Sequence, residues 1–136
     1  MNSISLNPAP SKTKLWTGRV LSGLVILFLL IDGVIKLIPL PQVTETLTQL
    51  GYSGSVTLAR GLGVLTLTIA ALYAMPRTAV FGAILLTGLL GGAMATHLRV
   101  ASPIFSHFLF GAYIGLMAWS GLYLRNSQLR SALVPA

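Results

Sequence analysis

Cysteine is absent from the 136-residue chain, and carboxylates nearly so: Asp32 and Glu45 are the only two. Without thiols there is no cysteine nucleophile, no disulfide relay, no iron–sulfur cluster held by cysteine and no covalent c-type haem. Charge of either sign is scarce. Charged residues make up 8% of the sequence, against about 25% in an ordinary soluble domain. A soluble protein of this size would lack the charge to cover its surface, and 54% of the residues are hydrophobic. Composition therefore places the chain in a membrane, as one domain. Recognisable catalytic signatures are missing as well, with no nucleophile elbow, phosphate loop or His-Glu-x-x-His in the sequence. No catalytic residue can be named from it.

The charge that is present leans one way, to a net +7. The Lys and Arg residues flank apolar segments and do not form a run interleaved with aromatics. They read as topological markers rather than as a nucleic-acid-binding surface. The bilayer is the expected partner; nucleic acid is not.

Residues 1–13 are polar and proline-bearing and are expected to form a disordered tail. The first apolar run, Leu15 to Leu40, follows Lys12 and Lys14 as a signal peptide would. It is longer than the apolar part of a signal peptide, contains Asp32, and ends in Ile38-Pro39-Leu40-Pro41 rather than a cleavage site. It reads as a retained helix. Membrane helices are expected at about 16–38, 56–75, 78–97 and 103–124, within a domain spanning 14–126, with 127–136 as a second tail. The third holds no charge from Thr78 to Thr96, a length of about 28 Å that matches a hydrocarbon core of about 30 Å. Short links at Met75-Pro76-Arg77 and at Arg99 to Ser102 force neighbours to run in opposite directions. The fold class is thus all-α, an antiparallel transmembrane four-helix bundle.

Basic residues orient it. Lys12, Lys14, Arg19, Arg77, Arg125 and Arg130 gather on one side, and Lys36, Arg60 and Arg99 on the other. The more basic side faces the cytoplasm, so both termini are expected there. Trp16, Tyr73, Trp119 and Tyr123 would form an aromatic belt at that level. The one long connection, Pro39 to Ser55, then lies outside. Val43, Leu47 and Leu50 recur in it at helical spacing between Pro41 and Gly51, predicting a short amphipathic helix that covers the bundle. Small residues pair at four-residue spacing in Gly18 and Ser22, Gly88 and Gly92, and Gly111 and Gly115. These are read as close packing within one subunit, with a homo-oligomer as the alternative.

The most informative residues are ionisable ones inside these spans. Asp32 and Lys36 form an i,i+4 pair of the favoured acid-first order within the first helix. Each such group costs about 2.5–3.5 kcal/mol at a helix centre and is a functional candidate by default. Depth arithmetic at 1.5 Å per residue brings Asp32, Arg60, His97 and His107 into one layer near the outer surface, with Arg99 beside it. Lys36, Arg60 and Arg99 exceed the carboxylates there, which favours an anionic or electron-rich guest; alternatively they reach to lipid headgroups. His97 and His107 admit three readings: interface hydrogen bonding, proton handling with Asp32, and ligation of a metal or b-type haem. The last is the weakest, since two histidines without a carboxylate set make a poor metal site.

Several stretches also resemble the DoxX-like family of small four-helix bacterial membrane proteins. These are Trp16-x-Gly18-Arg19, Asp32-Gly33-x-x-Lys36, Leu50-Gly51-Tyr52, Tyr73-x-x-Pro76-Arg77-Thr78-Ala79 and Trp119-x-Gly121-Leu122-x-Leu124-Arg125. Most specific is Gly91-Gly92-Ala93-x-Ala95-Thr96-His97-x-Arg99, just after Gly82 to Gly88. The resemblance spans about residues 14–130. It implies recurrent polar positions at Asp32, Lys36, Thr96, His97 and Arg99. It also implies a distant relation to membrane subunits of quinone-linked sulfur oxidation or redox-stress complexes. No catalytic residue carries over.

Three functions follow as expectations. One is a redox subunit handling a quinone or small lipid, with Asp32, Arg60 and His97 offering donors and a proton route, and a partner subunit carrying the electrons. Another is a small-molecule or proton transporter or binder, although the inner halves of the helices offer no continuous polar path. The third is a scaffold subunit whose polar layer fixes packing.

Overall fold

A computed structural model of the chain describes residues 11–38 and 40–133. Its four long helices are α1 (Lys12–Leu37), α3 (Val56–Ala74), α4 (Ala79–Arg99) and α5 (Phe110–Arg125). A nine-residue helix, α2 (Pro41–Gln49), joins α1 to α3, and α6 (Ser127–Leu133) follows α5. Among the described residues there is no strand. Most of the disordered tail expected at the start lies outside the described residues. α1 begins at Lys12, ahead of the expected Trp16, because Ser11 caps it by accepting the Lys14 N–H at 3.3 Å.

Four spans are long and apolar enough to cross a membrane, the last running from Ile104 to Arg125. Their outward faces carry large apolar side chains, among them Val20, Leu27, Ile31, Phe81, Ile84 and Leu116. A surface this apolar belongs in lipid. The chain is a membrane protein.

α1 packs against α3 and α5, and α4 against the same two. Pairwise contacts give the directions. Gly18 of α1 meets Gly121 and Leu124 of α5, whereas Phe28 further along α1 meets Phe110 at the start of α5, ring centroids 5.2 Å apart. Gly33 of α1 faces Gly63 and Leu67 of α3, while Ser22 of α1 reaches Tyr73 near the end of α3. Gly82 of α4 lies on the backbone of Leu72 and Tyr73, and Gly111 of α5 on Leu90 and Met94 of α4. Each packed pair runs in opposite directions, as the short links predicted.

These glycines let backbones touch where no hydrophobic effect drives helices together. Gly18, Ser22 and Gly111 serve this purpose, as expected from sequence. Gly88 and Gly92 do not, for a side chain there would meet nothing within 4 Å. Around the seams, Val25, Leu29, Ile69, Tyr73, Leu86 and Leu122 form the buried core.

Two helices end in the same way. After α2, Gly51 has φ +84°, its N–H bonds Thr48 O at 3.0 Å, and the Tyr52 N–H bonds Leu47 O at 2.9 Å. After α4, Ala101 has φ 54°, its N–H bonds Leu98 O at 3.2 Å, and the Ser102 N–H bonds His97 O at 3.0 Å. Both are Schellman turns, which satisfy the last carbonyls with a left-handed residue. Gly51 suits that position; Ala101 adopts it at a cost of about 1–2 kcal/mol. The chain then enters a π-helical segment, Ile104–Phe108, before α5 proper. At the far end α6 occupies part of the expected second tail. Asn126 Oδ1 accepts the Leu129 N–H at 3.0 Å, Leu129 packs on the core, and Arg130 donates to the carbonyls of Tyr123 and Leu124.

Candidate functional site

The end of the bundle where α1 and α4 finish collects every ionisable residue singled out in the sequence. Phe28 against Phe110, and Gly111 against Met94, mark one level across α1, α5 and α4. Asp32 lies four residues beyond Phe28 and His97 three beyond Met94, about 6 and 4.5 Å further out. Arg60 is one turn outward from Gly63, whose Cα faces Gly33 and Lys36. The polar layer expected from depth is therefore a single zone, here the His97 end. Within it the candidates form three separate groups.

Asp32 and Lys36 pair with each other on α1, both side chains half-buried. This is the one ion pair among the described residues. Arg60 finds no carboxylate. Its Nε donates to Leu37 O at 3.4 Å, one of the carbonyls left open at the end of α1, where a cation also meets the negative end of the helix dipole. Glu45, the other carboxylate, is exposed on α2 in a shallow groove with Thr44, Thr48, Gln49 and Gly54.

Thr96 and Arg99 hold the α2–α3 connection. Arg99 Nη2 donates to Leu50 O at 2.9 Å, just beyond the last turn of α2. Thr96 Oγ1 donates to Gly92 O at 2.9 Å and lies 3.0 Å from Tyr52 Oη. A hydroxyl has one hydrogen, so Tyr52 is the donor to Thr96. α2 buries only Leu47, and these two bonds fasten it to the last turn of α4. Sequence reasoning found both residues on α4 but missed Leu50 and Tyr52 as their partners.

His97 and His107 form the third group. Their ring centroids are 5.6 Å apart, edge towards face with the planes inclined by 63°. Each Nδ1 has a hydroxyl beside it: Ser102 Oγ is 3.0 Å from His97, and Ser106 Oγ is 2.7 Å from His107. The Schellman turn at Ala101 folds Ser102 back under His97, and the π-helical segment carries Ser106 and His107 next to it. Leu98, Ile104 and Phe105, near the two histidines in the sequence, are exposed, Phe105 by 80%. The structure does not put Asp32 in hydrogen-bond contact with either ring. Among the described residues no three of His, Cys, Asp and Glu come together.

A second polar cluster sits at the opposite end and has no counterpart in the sequence reading. Tyr73 is fully buried, and its hydroxyl donates to Ala118 O at 2.7 Å. Its hydrogen is then committed, so Ser22 Oγ, 3.0 Å away, donates to it. Ser22 in turn accepts from Arg125 Nε at 2.9 Å, and Arg125 Nη2 donates to Tyr73 O at 2.9 Å. The guanidinium also lies over the Tyr73 ring, 5.1 Å from its centroid. Arg125 looks in sequence like one more topological charge, Tyr73 like a belt aromatic, and Ser22 like a packing residue. Only the meeting of α1, α3 and α5 reveals them as one network.

Comparison with curated proteins and with solved structures gave no match. The family model of the DoxX-like family matches residues 20–121, well over half of the chain and inclusive of all three groups at the His97 end. The protein belongs to the DoxX-like family.

Proposed function

We propose that this protein is a multi-pass subunit of a bacterial inner-membrane redox complex, with both termini cytoplasmic, that binds the head of a quinone or similar small amphiphile at His97 and His107. The observation that carries the reading is the pairing of two imidazoles 5.6 Å apart at a helix end, with exposed Leu98, Ile104 and Phe105 close by in the sequence. Polar ring atoms at bilayer depth, reached over an apolar surface, suit a ligand that is itself dissolved in lipid. Such a ligand arrives sideways and needs no aqueous channel. The chain's own side chains carry no electrons, so a partner subunit or a bound cofactor supplies them.

One observation favours a scaffold instead. Lys36, Arg60 and Arg99 each find a partner within the chain, at Asp32, Leu37 O and Leu50 O. On that reading the layer exists to hold helices in place. Native mass spectrometry of the purified protein with added decylubiquinone separates the two. Binding to the wild type that is lost in His97→Ala and His107→Ala supports the quinone site. No binding, with an altered assembly in Asp32→Asn, supports the scaffold.

A further inference from the structure

We infer that Ser102 and Ser106 fix both histidines as Nε2–H tautomers, which makes the pair a double hydrogen-bond donor selective for an oxygen acceptor, the carbonyl of the oxidised quinone. The inference rests on the quinone reading of this site and adds to it the form that is bound.

The argument begins with where hydroxyl hydrogens go. Hydroxyls within the membrane helices, such as those of Thr66, Thr68 and Thr87, donate to the carbonyl four residues earlier. This satisfies them without any tertiary partner. Ser102 and Ser106 differ. Ser102 lies past the end of α4, where its backbone N–H already uses the His97 carbonyl. Ser106 lies in the π-helical segment. Among the described residues neither hydroxyl is bonded to a carbonyl, and the acceptor each one faces is an imidazole Nδ1. Donation to that nitrogen is the one bond among the described residues that uses the hydroxyl hydrogen. Each serine therefore donates to Nδ1. A neutral imidazole that accepts at Nδ1 carries its hydrogen on Nε2.

Both rings then carry a hydrogen on Nε2, and neither has a free acceptor nitrogen. A carbonyl oxygen has two lone pairs and can take both donors. A quinol hydroxyl must place its own hydrogen on an acceptor, and the pair provides none. Discrimination then comes from the quinol hydrogen, which finds no acceptor on the pair. Ser102 and Ser106 act through the histidines and are positioning residues.

The test uses the full chain in lipid nanodiscs with 15N-labelled histidine, since the nitrogen spectrum reports which ring atom bears the hydrogen. Expected are Nε2–H forms for both rings in the wild type. Ser102→Ala should release only His97 to a tautomer mixture, and Ser106→Ala only His107. The Ser→Thr variants keep the hydroxyl and should keep the tautomer, which a merely structural role would not explain. A wild type dominated by Nδ1–H, or alanine variants with unchanged spectra, overturns the inference.

The same samples are titrated with decylubiquinone and with its quinol. The quinone should bind about tenfold more tightly, with the preference lost in the double alanine variant. Equal binding of both forms overturns the selectivity. Binding of neither refutes the quinone reading, and the selectivity with it, while the spectra still decide what the serines do.

Discussion

Arg125 Nε donates to Ser22 Oγ at 2.9 Å, joining residues 103 apart in the chain. Through this bond the guanidinium of α5 drives a directed relay, Arg125 to Ser22 to Tyr73 to the Ala118 carbonyl, that passes through α1 and α3 and returns to α5. Hydrogen bonds that run in one direction polarise each other. The relay locks three helices at the end of the bundle away from the histidines.

Removing its members should lower stability by graded amounts. An interhelical bond in a membrane contributes on average about 0.6 kcal/mol, so Ser22→Ala and Tyr73→Phe, which each break two bonds, should cost about 1 kcal/mol. Arg125→Ala loses two bonds and the contact with the Tyr73 ring, about 1–3 kcal/mol together. Arg125→Lys should not rescue it, because a single ammonium cannot reproduce the planar fork that spans Ser22 Oγ and Tyr73 O. Thermal unfolding in detergent, followed by tryptophan fluorescence, measures all four. An unchanged midpoint in Arg125→Ala contradicts the lock.

Ala101→Gly should stabilise the protein by about 1 kcal/mol, since glycine adopts the left-handed conformation of Ala101 without the steric cost of a Cβ. Ala101→Val should do the reverse. The same unfolding measurement decides, and a destabilised glycine variant rules out the strain.

Arg99→Ala should loosen α2 without unfolding the bundle, because α2 buries only Leu47 and is tied down at Leu50 and Tyr52. Gly51→Ala should act similarly, through its φ of +84° and through a Cβ that would meet Arg99 Nη2 at 2.8 Å. Hydrogen exchange over residues 41–52 should speed up in both variants and stay unchanged in α3 and α5. Acceleration spread over the whole chain would show that α2 is part of the core instead.

Asp32 and Lys36 should prove strongly coupled. Either Asp32→Asn or Lys36→Met leaves one charge alone in apolar surroundings, at up to about 2.5–3.5 kcal/mol. The double variant removes both charges and should recover most of the loss, as a double-mutant cycle of unfolding stabilities would reveal. Additive losses would mean that the two groups have other partners.

Much of the fold was legible because hydrophobic length and short links leave few arrangements for four membrane helices. The depth of Asp32, Arg60, His97 and His107 followed from counting residues, since rise per residue is nearly constant in a helix. Partners were not legible, because depth says nothing about rotation around an axis. Arg60 is among the cations that exceed the carboxylates of the layer, and a backbone carbonyl at Leu37 serves it. Thr96 and Arg99 were grouped with His97, yet they turn towards Leu50 and Tyr52. Ser102 and Ser106 carried no sequence signal, for their roles depend on a Schellman turn at an alanine and on a π-helical segment. A glycine at position 101 would have announced that turn.

The most direct test of the quinone site is to locate the ligand itself. A photoreactive ubiquinone analogue, activated in nanodiscs containing the wild-type protein, should label peptides spanning residues 97–110, with labelling abolished by excess decylubiquinone and by His97→Ala with His107→Ala. Label spread evenly over the lipid-facing surfaces of all four helices, or concentrated at the Arg125 end, would contradict it.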